Sequence, residues 1–462
     1  GTSFNIGGLS GSGSNTISDS YTLSPYINGG DTVGGLAGNA GSLFKNSYSV
    51  VDTITGTSLG GAFGSPASAT LIENFWDSDT SGLFGGVANQ NEPKTTALMN
   101  TLTTFSTNGW DTSKTWAMAD GMYPMLRWQL HPICLANLAE TNFDGIGGGT
   151  TGSVDNPHMI CFKEQLMDIG ADTVNGCNAS TANACGDHFI LMNDINLENQ
   201  TFSPIGDSGE PFTGNFNGMN HTISNLAISL PAGGNVGLFS FIENGAVSNL
   251  KLVNAYVSGD NLVGILAGQA DNSVFKNVHI HGRVVGAAEK IGGFVGSFSG
   301  GTVSYSSASV TMTFTGEISQ AGVFAAQSSA DISHSYATGS ITTGNLSSSS
   351  FGGFIGSNSG NISDSWTSAG ISGSTAPGGF VGDLAGGTIT RSFATGRVVG
   401  STVYVGGFIG EATAGVVSNC FATGNVLGLG TVIHTGGFIA HNFGATINTS
   451  YALGNSFGGS SS

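Results

Sequence analysis

The sequence predicts an all-β protein, a parallel β-solenoid (β-helix) of about 28 residues per coil, interrupted by a small irregular and helical segment near 83–187. Three observations predict it. A Gly-Gly-apolar-apolar-Gly phrase returns at near-constant spacing. A second phrase, apolar-polar-polar-small-aromatic, follows most copies of the first. Helical periodicity is absent across both. Units this short cannot bury an apolar face alone, so successive units must stack.

The first phrase stands at Gly7–Gly11, Gly34–Gly38, Gly292–Gly296, Gly352–Gly356, Gly378–Gly382 and Gly406–Gly410, with degenerate copies at 236–240, 263–267, 321–325 and 436–440. With its second position as anchor, Gly237, Gly264, Gly293, Gly322, Gly353, Gly379, Gly407 and Gly437 follow one another at 27, 29, 29, 31, 26, 28 and 30 residues. Near the N-terminus Gly8, Gly35 and Gly61 are 27 and 26 apart. The second phrase is found at Ile17–Tyr21, Phe44–Tyr48, Ile332–Tyr336, Ile362–Trp366, Ile389–Phe393, Val417–Phe421 and Ile447–Tyr451. Ala-Thr-Gly trails several copies, as at 337–339, 394–396 and 422–424. Short β-branched and aromatic runs bounded by Gly, Ser and Asn read as strands of about 4–6 residues between turns. Stacked coils place equivalent residues in ladders about 4.8 Å apart. The expected interior ladder is Leu238, Ile265, Phe294, Val323, Phe354, Phe380, Phe408 and Phe438.

Composition sets the class. Only 9 % of residues are charged, but 39 % are hydrophobic and Phe contributes 28, enough for a packed interior. Lys plus Arg is 11 against 29 Asp plus Glu, a formal charge of −18. That balance excludes a nucleic-acid partner, which needs basic surface. It suits an extracellular or cell-surface location. No run is long and apolar enough to span a bilayer. Without an initiator Met or signal peptide, the sequence reads as a mature product or an excised segment.

Four of five cysteines crowd into 134–185. A disulfide Cys177–Cys185 is expected to close the polar loop 178–184, with Cys134–Cys161 as a second pair and Cys420 reduced and buried. Zinc is the rival reading, with irregular spacings and no C-x-x-C pair against it.

The Gly-Gly-[Phe/Leu]-[Val/Ile]-Gly phrase followed by Ile-Ser-x-Ser-Tyr and Ala-Thr-Gly resembles the GLUG repeat of large bacterial surface and secreted proteins. Asn74–Gly82 (NFWDSDTSG) resembles the phrase that ends such arrays. Gly109–Asp111, Trp116 and Tyr123–Gln129 resemble the segment that follows it. His188–Leu197, Phe202–Gly206 and Phe216–Leu226 resemble the opening of a new array. The resemblance implies an extracellular solenoid and assigns no catalytic residues. Such modules occur in adhesin-like proteins and beside peptidase domains in some IgA-cleaving enzymes. The cysteine-bearing stretch and the order of parts depart from the pattern.

The expected organisation is the last coils of one array at 1–82, an array-terminating segment at 83–130, a cysteine-bearing linker at 131–187, and a second array of about eight coils at 188–462, uncapped at its C-terminal end. Short helices are expected at 96–102 and 162–169. Open ends at Phe4, Ile6 and Leu9 and at Phe438, Ile447, Tyr451 and Phe457 suggest copies stacking head to tail.

No motif of hydrolase, zinc-peptidase or phosphate-binding type is present, and no cofactor is expected. Arg391 and Arg397 lie near Asp383 and Glu411 in sequence, the one candidate for lyase-like chemistry; solvated charges explain them as well. His279 and His281 share a strand face without a third ligand. Asp77 and Asp79 are candidate calcium ligands, or turn residues bonding backbone amides. In the second phrase the fourth position holds Phe75, Leu250, Val278, Ser335, Ser365, Ser392 and Cys420 and reads as interior. The fifth holds Trp76, Lys251, His279, Tyr336, Trp366, Phe393, Phe421 and Tyr451 and reads as outward by strand alternation. The apolar first position shares parity with the fifth, which argues the other way unless a bend intervenes. Tyr336, Trp366, Phe393, Phe421 and Tyr451 thus form either a surface stripe for glycans or another filament, or a row buried in the core or covered by a loop. The function expected is a non-enzymatic structural or adhesive stalk or filament. The rivals are a polysaccharide lyase-like solenoid and a glycan-binding module of a larger secreted enzyme.

Overall fold

The computed structural model describes residues 4–13, 16–41, 43–65, 69–85, 91–140, 142–144, 151–172, 176–177, 184–230, 234–286, 289–314, 316–343, 350–374, 376–401, 403–429 and 434–458. The chain divides into two compact units, Gly1–Glu140 (unit 1) and Thr141–Ser462 (unit 2).

Unit 1 holds three coils. Their strands pair in parallel at constant register, Ile6 to Val33, Phe44 to Leu71, Tyr21 to Tyr48 and Tyr48 to Phe75. The strand Asn91–Lys94 adds to the last coil beside Asn74–Asp77. Short helices α1 (Ser78–Ser81), α2 (Thr96–Met99), α3 (Leu102–Ser106) and α4 (Pro132–Ala136) follow, with one antiparallel pair, Trp116–Ala117 and Met125–Leu126. The expected helix at 96–102 is thus two, broken at Asn100–Thr101.

Unit 2 is a longer parallel solenoid of the predicted class. Its coils run through one 24-stranded, one 8-stranded and one 7-stranded sheet. Gly292, Gly322, Gly352, Gly378, Gly406 and Gly436 pair in register from coil to coil. The stretch 131–187 is not a linker throughout. His158–Ile160 pairs in parallel with Phe189–Leu191, and α5 (Lys163–Ala171) lays Leu166 and Ile169 on the core of the first coil. Its N-terminus is satisfied by Gln165, whose Oε1 accepts from the Cys161 and Phe162 amides at 2.7 and 3.2 Å. A helix therefore covers the apolar cross-section at which this array opens. In the last described coil Leu453 and Phe457 are exposed.

The interior ladder is present with two corrections. Phe294, Phe324, Phe354, Phe380, Phe408 and Phe438 stack at 4.6–4.9 Å between centroids. The rungs are Phe324 rather than Val323, and Leu266 rather than Ile265, because the degenerate copies keep the first glycine and replace the second. Phe380, with both neighbours in place, is fully buried.

A left-handed residue in the third position of the second phrase resolves the parity conflict. Asp19, Asn46, Glu73, Asn249, Asn277, Tyr305, His334, Asp364, Arg391, Asn419 and Thr449 all have φ between 43° and 56°. Most side chains disfavour this region, and Asn and Asp tolerate it best. The turn lets the first and fourth positions both face inward, so the fifth faces out and the sixth returns to the core. Around residue 73 the observed frame is shifted by one from the sequence reading. Glu73 is the left-handed residue, Asn74 the fourth position and Phe75 the fifth, while Trp76 points inward among Leu36, Phe44 and Phe63.

The fourth position carries a buried polar ladder. Each hydroxyl accepts the amide of the preceding coil: Ser306 from Val278, Ser335 from Ser306, Ser365 from Ser335, Ser392 from Ser365, and Ser450 from Cys420, at 3.2–3.3 Å. The same hydroxyl donates to the carbonyl two residues back, as from Ser365 to Ser363 at 2.8 Å. Ser365→Ala is expected to cost about 1–3 kcal/mol, since it strands the buried Ser335 amide; thermal unfolding measures it. Cys420 occupies one rung, and burial pushes its thiol up to about 11. Iodoacetamide at pH 8 should leave Cys420 unlabelled in native protein and label it after denaturation.

Candidate functional site

The outward surface of the last coils of unit 2 gathers most of the sequence's candidate residues. Tyr336, Trp366, Phe393, Phe421 and Tyr451 form one unbroken row, with centroids 4.6, 5.9, 4.8 and 5.4 Å apart and ring planes within 3–9°. The first four are half-buried and Tyr451 is 52 % exposed. The row therefore lies on the outward face of the coils rather than in the core. Ring faces are spent on one another, so the row offers solvent its edges.

Beside it runs the row of left-handed residues. Tyr305 stacks on His334 at 4.8 Å, and Arg391 holds Asp364 through two bonds of 2.6 and 2.7 Å. That pairing keeps Asp364 below the usual carboxylate range and raises Arg391 further. An arginine so engaged is poorly placed as a base. Next comes a shallow groove crossing four coils, lined by Thr302, Ser304, Asp331, Asn361, Thr388 and Thr390. Its polar groups bond along the axis, Asn361 Nδ2 to Asp331 Oδ1 at 2.9 Å and Thr388 Oγ1 to Asn361 Oδ1 at 2.8 Å. No sequence signal marks this groove, since its residues are unremarkable Ser, Thr and Asn until coils stack them.

Asp383 and Glu411 do not join Arg391. They stand in register on the separate 8-stranded sheet, with Ser357 before them and His441 after. Burial raises Asp383, and burial plus the Asp383 charge raises Glu411. Because the folded state then binds these protons more tightly than the unfolded chain, their contribution favours folding in acid. It declines as pH rises through the raised values and stays unfavourable at neutral pH. Glu411→Gln is expected to stabilise unit 2 at pH 7 by about 0.2–1 kcal/mol, toward the low end because water screens the pair. Melting curves should show that gain vanish below about pH 4.

The remaining candidates serve local structure. His279 bonds Ser307 Oγ and Asn277 Oδ1 at 2.9 and 3.1 Å, while His281 is exposed. Asp77 caps α1, accepting from the amides of Asp79 and Thr80 and from Tyr123 Oη at 2.6 Å. Asp79 accepts from the Thr96 amide. Among the described residues no three His, Cys, Asp or Glu side chains converge as metal ligands. Cys177 and Cys185 form a disulfide with Cα atoms 4.3 Å apart, Cys134 and Cys161 are disulfide-bonded as well, and Cys420 is free. Residues 178–183 of the loop lie outside the described residues.

The coil that contributes Phe421 to the aromatic row, residues 401–427, matches the GLUG motif. The GLUG-bearing chain is 37 % identical to halomucin of Haloquadratum walsbyi over 169 residues, 34 % of this chain and 2 % of halomucin. It is 31 % identical over 142 residues to a protein of Evansella cellulosilytica described as a Gly-rich membrane protein, covering 29 % of this chain and 15 % of that one. The chain thus spans a small fraction of either relative's length. A crystal structure described as an immunoglobulin A1 protease from Bacteroides ovatus aligns with 66 % of this chain and 87 % of its own, at 20 % identity and a TM-score of 0.41. No helix among the described residues is long and apolar enough to cross a membrane.

Proposed function

We propose that this chain is a non-catalytic structural module of a surface or secreted repeat protein, acting as a stalk or filament segment with an adhesive lateral face. One observation carries the reading. Outward polar groups of unit 2 bond to one another in ladders along the axis, as with Arg391 on Asp364 and Asn361 on Asp331. The names of the relatives and the oxidised cysteines support an extracellular or cell-surface setting. Head-to-tail stacking of copies is the partner arrangement this reading carries, since a parallel coil templates another at the same register; sedimentation across a concentration series tests it. The groove at 302–390 favours a second reading, a glycan chain held along the axis without cleavage. Retention of polyuronates or mucins by the protein separates these two readings, and incubation with the same polymers tests for cleavage. No product release is expected, and release that depends on Arg391 would overturn the non-catalytic assignment.

A further inference from the structure

Unit 1 contains its own version of the aromatic row, and there the row is covered. Its left-handed residues Asp19, Asn46 and Glu73 precede fifth-position rings Tyr21, Tyr48 and Phe75. Tyr21 and Tyr48 stack at 5.2 Å with planes 7° apart, the same arrangement as in unit 2. Over them folds the segment from α2 to Leu126. Phe105 meets Tyr48 and Phe75 edge-on at 6.5 and 5.6 Å, and Trp110 lies on Phe75 at 5.8 Å. Two indoles are anchored on the left-handed row, Trp116 Nε1 donating to Asp19 Oδ1 at 3.3 Å and Trp110 Nε1 to the Glu73 carbonyl at 3.1 Å. Tyr48 and Phe75 are buried as a result.

Unit 2 uses the fifth position in two ways. Its earlier coils fill it with Lys251, His279 and Ser307, side chains suited to water. From Tyr336 onward it is aromatic through five coils. In unit 1 the aromatic fifth position accompanies a cover, and in the earlier coils of unit 2 a polar one accompanies an open face. An apolar row left at the surface marks an interaction site.

We propose that the row Tyr336–Trp366–Phe393–Phe421–Tyr451 is the docking face for an aromatic-rich polypeptide segment of a partner protein, chemically like residues 95–126. Short helices would present Phe and Trp rings to the row's edges, as Phe105 does in unit 1, a geometry aromatic pairs favour. Indole N–H groups would donate to the left-handed row, where Asp364 takes the place of Asp19. A second copy is not the occupant, because among the described residues the one such segment already covers its own Tyr21, Tyr48 and Phe75. Nor is it a sugar, which stacks on a ring face, and these faces are occupied by neighbouring rings. The proposal rests on reading this lateral face as adhesive.

The test titrates a fluorescent synthetic peptide of residues 95–130 into the full chain and into the variant Trp366→Ser/Phe421→Ser. Serine occupies the same position at Ser307, so the variant should keep the wild-type circular dichroism, with its melting temperature lowered only by the lost ring stacking. Saturable binding at one peptide per chain, weakened tenfold or more in the variant and in a peptide with both Trp110 and Trp116 replaced by Ala, is the expected result. Absence of saturable binding, or equal binding to the variant, would overturn the proposal. So would wild-type self-association that the variant abolishes, or displacement of the peptide by soluble oligosaccharides. None of these outcomes bears on cleavage, so the non-catalytic assignment stands or falls separately.

Discussion

Gly406→Val is expected to unfold the C-terminal coils of unit 2 at a cost on the order of 4–5 kcal/mol. A Cβ built on Gly406 would sit 1.7 Å from the Ile409 carbonyl oxygen and 2.5 Å from its carbon. The same clash recurs at Gly292, Gly352, Gly378 and Gly436, at 1.7–1.8 Å from the oxygen three residues on. Those neighbours are backbone, which cannot swing aside as a side chain can. The sharp corner after each strand brings the following peptide over the glycine, and the next coil's register depends on that corner. The chain supplies its own control. The second glycine of the phrase is replaced by Ile265 and Val323 in other coils of unit 2, whereas the first is glycine at 264, 292, 322, 352, 378, 406 and 436. Hydrogen exchange should show protection lost from about residue 376 onward and retained near α5, because coils contact only their neighbours. Uniform protection in the variant would sink this account of the corner.

Phe380→Ala should be nearly as damaging, at about 3–5 kcal/mol. Its ring lies between Phe354 at 4.9 Å and Phe408 at 4.8 Å and is fully buried. Coils held at fixed register by backbone hydrogen bonds cannot close on the vacated space, so most of the cavity persists. Phe393→Ser on the outer row is the matched comparison. It forfeits two stacking contacts but opens no cavity, and should cost about 0.5–1.5 kcal/mol. Urea melts of the two variants measure the difference, and comparable losses would mean that the outer row is as much core as the inner one.

The coil itself is legible in the amino-acid sequence. Near-constant glycine spacing can only be served by stacked coils, and a parallel solenoid is what unit 2 forms. Local signals also suffice for α5, where Phe162 and Gln165 open a helix with a buried face. They suffice for the Cys177–Cys185 bond as well, since eight residues leave little freedom for two buried cysteines. Register in the degenerate copies is less secure. VGILA and AGVFA offer two alignments to the Gly-Gly-Phe phrase, and the hydrogen bonds of neighbouring coils choose between them.

Two matters were decided by tertiary structure. One is which way the fifth position faces. Alternation alone gives contradictory answers for Ile332 and Tyr336, and a single left-handed residue between them, His334 at φ 49°, reverses the parity. Nothing in the identity of Tyr305 or Arg391 announces that conformation, because neither favours it; the stacked corner imposes it. The other is that residues 105–123 cover Tyr21, Tyr48 and Phe75. Repetition determined the coil, because every copy restates the same local geometry. The cover rests on contacts made once, between segments far apart in the chain, and such contacts leave no period to read.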